Sequence, residues 1–410
     1  MPSWAALPPE LRWMLVYYIK TFDDDFADPE YDPRQSIVTM PPRVPSSPAS
    51  IARGRKIFEK NKCPDCHGRE LRGDGRNNLR DEWGYPARVA NLTRGWNFKG
   101  GSDPEDIIYR FTTGLDGTAM RGYEERIVGE DRWHLANYLA SVARGGFDQE
   151  MIFKAERTAK KIPLDAGAEI WRSMAPTKIF IQGQTIVEPF WINNSVDMVE
   201  VRALYNEDEI GFLVEWDDPV QDAGHQEQRE VAQFQGEYVK AFGEIPREPG
   251  VFRDAIALQF PVKPNIDRRV RALRGGRNNP VNLWTWKSDL AEKQANAVEE
   301  SNSWGPRRPV RPQPATDQQV RSKAAWKDGR WRVVMVRPLQ TRDENDVQFA
   351  KDGIIPMAVN VWDGSNGEHG LIMGLSPWLL VYLDDPASNT FGRIRDILWF
   401  FDVSREFSYQ

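Results

Sequence analysis

An all-α region followed by a mainly antiparallel β-sandwich is the fold class that this 410-residue sequence predicts. Three observations carry the expectation. Apolar residues recur at helical spacing on both sides of a cysteine pair in the first third of the chain. From about residue 160 the pattern switches to alternation with a period of two, punctuated by Gly and Pro. A Pro/Asp/Ser-rich stretch, "FDDDFADPEYDPRQSIVTMPPRVPSSPAS", separates a short N-terminal helical segment from the rest.

The bulk composition is that of folded protein, with 28% charged and 40% hydrophobic residues. A net charge of −6 argues against nucleic-acid binding, which needs a basic surface. No run of about 18 apolar residues occurs, so no transmembrane segment is expected. The 16 tryptophans point to aromatic-rich sheet packing.

The N-terminal stretch "MPSWAALPPELRWMLVYYIKTF" does not read as a secretory signal, because Glu10 and Arg12 interrupt its apolar run. Trp13 to Ile19 has the pattern of an amphipathic helix inside a folded domain. Residues 23–49 read as a linker, and residues 50–146 as the first complete domain.

That domain opens with "IARGRKIFEKNKC", a helix with Ile51, Ile57 and Phe58 as its apolar stripe, which delivers the chain to Cys63-x-x-Cys66-His67. These are the chain's two cysteines. In this motif both thiols add to the vinyl groups of a haem, and the adjacent histidine is the proximal iron ligand. One turn lets both sulfurs reach neighbouring pyrrole edges while the imidazole points back at the iron. The alternatives are a redox dithiol, which requires no following histidine, and half of a zinc site, which needs two more ligands.

Downstream, "TTGLDGTAMRGYEERIVGEDRWHLANYLASV" offers Met120 in a glycine-bounded loop ahead of an amphipathic helix. Met120 stands 53 residues beyond His67 (67 to 120), enough chain to wrap a haem and return on its distal face. A thioether is soft and neutral and favours reduced iron, which raises the potential. The other reading of Met120 is core filling. His134, on the closing helix, reads as helix packing rather than ligation.

The segments "LRWMLVYYIKTF" and "DRWHLANYLASV" align at an offset of 120 residues, Arg12-Trp13 on Arg132-Trp133, Leu15 on Leu135, Tyr18 on Tyr138 and Ile19 on Leu139. Fixed-offset similarity is the mark of duplication. Residues 1–22 are therefore expected to be the C-terminal remnant of a first copy of the domain, with Met1 a candidate iron ligand in the place of Met120 and a signal peptide further upstream. A helical extension that happens to resemble the next domain is the competing explanation.

Residues 160–390 form the strand-rich part. In "MVEVRALYNEDEIGFLVEWDDP", Val199, Val201, Ala203 and Tyr205 alternate, the chain turns through Asn206 to Glu209, and Ile210, Phe212, Val214 and Trp216 alternate again. "DAIALQFPV", "PVNLWTWKSD", "KDGRWRVVMVRPL", "IIPMAVNVWDG" and "SPWLLVYLDDP" continue the series, with Asp-Gly turns at 328–329 and 363–364. A sandwich or barrel follows. Residues 218–250 and the Arg/Pro-rich 300–325 read as loops or insertions, "DRRVRALRGGR" as a solvated basic cluster, and 391–410 as a tail.

Residues 50 to 145, through "CPDCHG" and "GLDGTAM", resemble a class I c-type cytochrome domain. The second half resembles the haem-binding domain of ethylbenzene dehydrogenase-type gamma subunits, which also occurs in dimethyl sulfide dehydrogenase, selenate reductase and nitrite oxidoreductase complexes. The likeness rests on "VEVRALYNEDEIGFLVEWDDP", "FRDAIALQFP", "NNPVNLWTWKSDL", "GRWRVVMVRPL", "PMAVNVWDG" and "LSPWLLVYL", in the family's order. It implies a b-type haem held by a methionine and a lysine, and electron exchange with a molybdenum catalytic subunit through an iron–sulfur subunit. Both ligand places depart from the family: the methionine's holds Leu273 and Arg274, and the lysine's nearest equivalent is Met373. Haem b is thus either absent or held by other residues, such as Met373, Met198 or His369, with Lys287 a spare candidate.

Together these readings lead to the expectation of a periplasmic electron-transfer protein, or one on the outer face of the cytoplasmic membrane, with one covalent haem c ligated by His67 and Met120. Six-coordinate iron leaves no open position and no nucleophile–base constellation is apparent, so substrate catalysis is not expected. One form of the expectation is the gamma-type subunit of a molybdenum oxidoreductase, nitrite oxidoreductase-like. The alternative is a stand-alone multihaem carrier whose β domain is a haemless binding module. A peroxidase-like haem enzyme would require Met120 to leave the iron.

Overall fold

The computed structural model describes residues 8–32, 34, 37–73, 75, 79, 81–82, 89–143, 152–191, 194–224, 252–263, 272–291, 296–350 and 353–383. The chain divides into two compact units, Met1–Gly146 and Phe147–Gln410.

The first unit is helical: α1 Pro9–Lys20, α2 Pro48–Lys60, α3 Pro64–His67, α4 Pro104–Thr113 and α5 Asp131–Val142. Proline opens the first four, where its missing N–H would have no helical partner in any case. Ser47 caps α2 by accepting from the Ser50 N–H at 3.1 Å. Ile57 and Phe58 of α2 are buried as the stripe requires, against Ile107, Ile108 and Phe111 of α4 and Leu135 and Leu139 of α5. The end of the Pro-rich segment is fastened to α5. The Trp133 Nε1–H donates to the Pro41 carbonyl at 2.8 Å, Arg132 to Thr39 at 3.3 Å, and Asn137 to Val44 at 3.1 Å.

The helix expected over Trp13–Ile19 forms, but it is not embedded in a domain. No residue of α1 is buried. Its aligned positions separate sharply from those of α5: Trp13 is 61% exposed and Trp133 2%, Leu15 43% and Leu135 2%, Tyr18 62% and Tyr138 8%. The sequence pattern is the same, and what differs is that among the described residues nothing packs on the apolar face of α1.

The second unit is built from β1 Ile152–Arg157, β2 Thr177–Phe180, β3 Gln182–Gly183, β4 Met198–Tyr205, β5 Glu209–Asp217, β6 Ala255–Pro261, β7 Val281–Lys287, β8 Val298–Ser303, β9 Arg311–Pro312, β10 Arg321–Trp326, β11 Arg330–Pro338, β12 Ile354–Trp362, β13 Gly374–Leu375 and β14 Leu379–Leu383. The strands follow the order β10-β11-β5-β4-β1-β14-β12-β6-β7-β8-β9. β12 links two layers: its residues 354–357 pair with β14 and 358–362 with β6. The layers meet through Phe212 on Phe260 (ring centroids 5.8 Å apart) and Trp216 on Trp286 (6.1 Å). Both expected alternating sets, Val199 to Tyr205 and Ile210 to Trp216, point into this shared core. The opposite face of the same strands, with Leu204 and Leu213, is covered by Trp171 and Met174.

The sheet is mainly antiparallel, as expected, and β1 makes it mixed by running parallel to both of its neighbours, β4 and β14. Alternation encodes which side chains face inward but not strand direction, and the partners of β1 lie far along the chain, where long connections permit parallel pairing. One expectation needs correction: residues 300–325 are not a plain loop, since they hold the end of β8, β9 and most of β10. Pro312 is tolerated because β9 ends the strand path. At the β10–β11 turn Asp328 and Gly329 both take positive φ (56° and 65°), the conformation a tight hairpin demands of an Asp-Gly pair. Residues 225–250 and 391–410 lie outside the described residues.

Candidate haem site

The cysteine–histidine motif is shaped by backbone turns on both sides. α2 ends at Asn61, and Lys62 takes a positive φ of 59° that swings the chain into α3. On this single turn the Cys66 and His67 N–H groups both return to the Cys63 carbonyl, at 3.2 and 2.9 Å. Gly68 stops the turn with φ 76°. The chain then folds back: the Gly73 N–H donates to the His67 carbonyl at 2.9 Å and that of Gly75 to the Cys66 carbonyl at 3.1 Å. Gly73 is obligatory here, since with φ 80° any Cβ would lie 2.4 Å from the Val89 carbonyl oxygen.

That close approach brings the neighbouring carbonyl to the histidine. His67 Nδ1 lies 3.1 Å from the Ala90 oxygen. An Nδ1–H donated to this carbonyl fixes the tautomer in which Nε2 carries the free lone pair, the arrangement that orients an imidazole toward a metal. Burial holds the His67 pKa below its ordinary value, opposed by the Ala90 hydrogen bond, so the ring is neutral at pH 7. Both cysteines are free thiols, and burial pushes that of Cys63 up to about 11. It stays protonated at neutral pH.

Met120 sits in a pinched loop between α4 and α5. The Leu115 N–H donates to the Met120 carbonyl at 2.9 Å, and the Met120 N–H to Thr118 Oγ1 at 3.1 Å. Gly114 (φ 78°) closes the pinch, since a Cβ there would lie 2.5 Å from the Gly122 nitrogen. Met120 and Cys63 are both half-buried and pack on the same apolar cluster. The donor set fits a covalent haem: two free thiols, an oriented neutral imidazole and a soft thioether, with Cys63 and Met120 on one apolar core. The Ala90 carbonyl was beyond the reach of sequence reading because a main-chain acceptor leaves no residue signature; Gly73 was the available hint. His134 is held between helices by Ser50 Oγ, 2.8 Å from its Nδ1. Met1 lies outside the described residues.

In the second unit, Leu273 and Met373 are both fully buried in one apolar cluster with Val187, Ala257, Trp362 and Leu375. A thioether and an isobutyl group are thereby brought together where the resemblance implies two iron ligands. Leucine has no donor atom, so these residues do not fit a b haem held in the family's manner. Arg274 turns away to the Gly370 carbonyl at 2.8 Å, and Lys287 pairs with Glu299 at 2.9 Å. His369 stacks on Phe252 (centroids 4.4 Å apart), with Nδ1 2.8 Å from the Gly367 carbonyl. Met198 pairs with Phe180 across β4 and β2.

Comparison with known proteins divides the chain in the same two parts. Residues 51–143 match the cytochrome c family model, and residues 168–309 and 296–372 match that of ethylbenzene dehydrogenase. A provisionally named respiratory nitrate reductase heme subunit of Haloferax mediterranei is 26% identical over 220 residues, 54% of this chain and 68% of that one. The dimethylsulfide dehydrogenase subunit gamma of Rhodovulum sulfidophilum is 29% identical over 33% of this chain and 50% of its own length. The chlorate reductase subunit gamma of Ideonella dechloratans is 27% identical over 30% and 47%. The chain thus spans about half the length of the last two relatives.

Proposed function

The chain belongs to the ethylbenzene dehydrogenase family through residues 168–372 and carries a cytochrome c domain over residues 51–143, and from that premise we propose that it is the haem-bearing, electron-transferring gamma-type subunit of a respiratory oxidoreductase. The names of its relatives, a heme subunit and two gamma subunits, support the reading. The observation that carries it is the C-x-x-C-H turn with His67 Nδ1 committed to the Ala90 carbonyl, which leaves Nε2 for iron.

Cys63 and Cys66 would hold the haem covalently, and His67 and Met120 would supply a nitrogen and a thioether to its iron. Bound there, the haem supplies a one-electron iron couple. The protein's share is to orient and restrain. The Ala90 carbonyl fixes the imidazole plane and tautomer. The pinched Gly114–Gly122 loop holds the thioether, which favours the reduced metal. Phe58, Ile108 and Leu135 belong to the buried apolar core against which Cys63 and Met120 pack, and would lower the dielectric beside the group. In the β unit, Leu273 and Met373 fill the ligand places with packing, so the unit serves docking rather than a second haem.

The partner in this reading is a molybdenum catalytic subunit acting through an iron–sulfur subunit, in a nitrite oxidoreductase-like complex outside the cytoplasmic membrane. Affinity purification of the tagged chain from its native host tests it. Recovery of a large molybdenum-containing subunit in stoichiometric amount is expected. A monomeric haem protein, free of such a subunit at low salt, would instead support a stand-alone carrier. The contrast between exposed α1 and buried α5 further favours α1 as the closing helix of another cytochrome unit. A C-x-x-C-H codon run in frame upstream is the expected finding, and an immediate stop codon without one would defeat that assignment.

A further inference from the structure

One end of the β unit gathers carboxylates from three separate strands. Asp218 follows β5, Asp254 precedes β6 and Asp363 follows β12. β6 and β12 are antiparallel neighbours, Ala255 opposite Trp362, which puts Asp254 and Asp363 side by side. β5 belongs to the facing layer, where its Trp216 packs on Trp286 of β7, so Asp218 arrives from across the sandwich. One oxygen of each of the three carboxylates lies within 4.8 Å of the other two, and the side chains are 0%, 0% and 2% exposed.

Four other buried or nearly buried carboxylates of this unit have cationic partners. Asp289 pairs with Arg253 at 2.9 Å, Glu300 and Asp346 flank Arg337 at 3.7 Å each, and Glu215 bonds Arg202. Among the described residues no Lys, Arg or His forms an ion pair with Asp218, Asp254 or Asp363. Their neutral neighbours treat them as acceptors. Asp254 takes the N–H groups of Gly364 (2.9 Å) and Asp222 (2.8 Å) and the Trp331 indole (3.0 Å). Asp363 takes the Asn366 N–H at 3.1 Å and the Ser365 hydroxyl at 2.6 Å, and Asp218 Oδ1 takes the Val220 N–H at 3.2 Å.

The second oxygen of Asp218, Oδ2, is enclosed and has no hydrogen-bond partner among the described residues. An unpaired anionic oxygen in a dry interior is costly, and three carboxylates together multiply the cost. We propose that Asp218, Asp254 and Asp363 bind a divalent hard cation, calcium, which neutralises the group and gives Asp218 Oδ2 its missing partner. The donors are all oxygen, with no thiolate or imidazole, which excludes the softer metals. Ligands carried on three chain ends suit the adaptable shell of calcium better than the strict octahedron of magnesium. The location gives the ion a purpose: it ties both layers beside the Ala223–Arg253 bridge.

The test uses the full chain, stripped with EDTA and returned to calcium chloride or terbium chloride. Terbium luminescence sensitised by Trp331, whose indole bonds Asp254, is expected to saturate at one equivalent and to be displaced by calcium. The unfolding temperature of the β unit is expected to rise with calcium concentration, as it does for any ligand of the native state. Asp218→Asn is expected to weaken terbium affinity at least about 100-fold, through loss of a ligand charge and its oxygen geometry. If that variant fails to fold, the wild-type responses alone decide. No sensitised terbium signal and an unfolding temperature indifferent to calcium and EDTA would overturn the proposal, and would mean that the carboxylates share protons instead. An Asp218→Asn variant that binds terbium like the wild type would overturn it equally.

Discussion

Gly54 of α2 lies beneath the His134 carbonyl of α5, so close that a Cβ at position 54 would sit 1.9 Å from that oxygen and 2.6 Å from Tyr138 Cβ. The Phe58 and Tyr138 rings meet one turn away, edge to face at 5.8 Å. Together these contacts close α2 onto α5, just ahead in the chain of the segment that carries Cys63, Cys66 and His67.

Gly54→Ala should therefore push α5 off α2. Overpacking of this kind costs about 1–3 kcal/mol. A lower unfolding temperature, followed by haem absorbance, is the expected outcome, and an unchanged one would mean that the helices separate without penalty.

Cys66→Ala removes one of the two thioether anchors and His67→Ala the proximal nitrogen. Neither variant should retain haem through a denaturing gel at the level of the wild-type chain. Normal covalent loading in Cys66→Ala would show that the motif attaches no haem.

Met120→Ala should lower the reduction potential, by a fraction of the roughly 0.8 V range that axial ligands command, and admit small exogenous ligands to the iron. Spectroelectrochemical titration reads the first effect and cyanide or imidazole binding the second. An unchanged potential would show that another group holds the distal face.

In the β unit, Arg337 is fully buried between Glu300 and Asp346, with its guanidinium 4.8 Å from the Trp284 ring. Arg337→Met leaves two carboxylates without their cation, a loss of about 3–5 kcal/mol. Urea unfolding followed by tryptophan fluorescence should show a lower midpoint with an unchanged slope. A midpoint equal to the wild type would mean that the two acids are already protonated.

Local pattern made some of this legible in the sequence. The C-x-x-C-H turn, the stripe of Ile57 and Phe58, and the alternation of Val199 to Trp216 are short-range signals, and the corresponding elements form. Long-range facts were not readable. Nothing in residues 152–157 records that both of their partners run parallel, because those partners are residues 203–205 and 380–383. Asp218, Asp254 and Asp363 look like ordinary turn residues until three strand ends are brought together. α1 and α5 share a pattern, yet one is bare and the other buried, since amphipathicity states that a face needs cover and not what supplies it.

We propose one covalent haem in this chain, held by Cys63, Cys66, His67 and Met120, and no b haem beside Met373. The pyridine haemochrome spectrum of the purified full chain, set against its protein concentration and repeated after acid–acetone extraction, tests both parts at once. One c-type haem per chain, all of it remaining with the protein, is the predicted result. A b-type band that leaves with the solvent, or no haem resistant to extraction, would contradict the account.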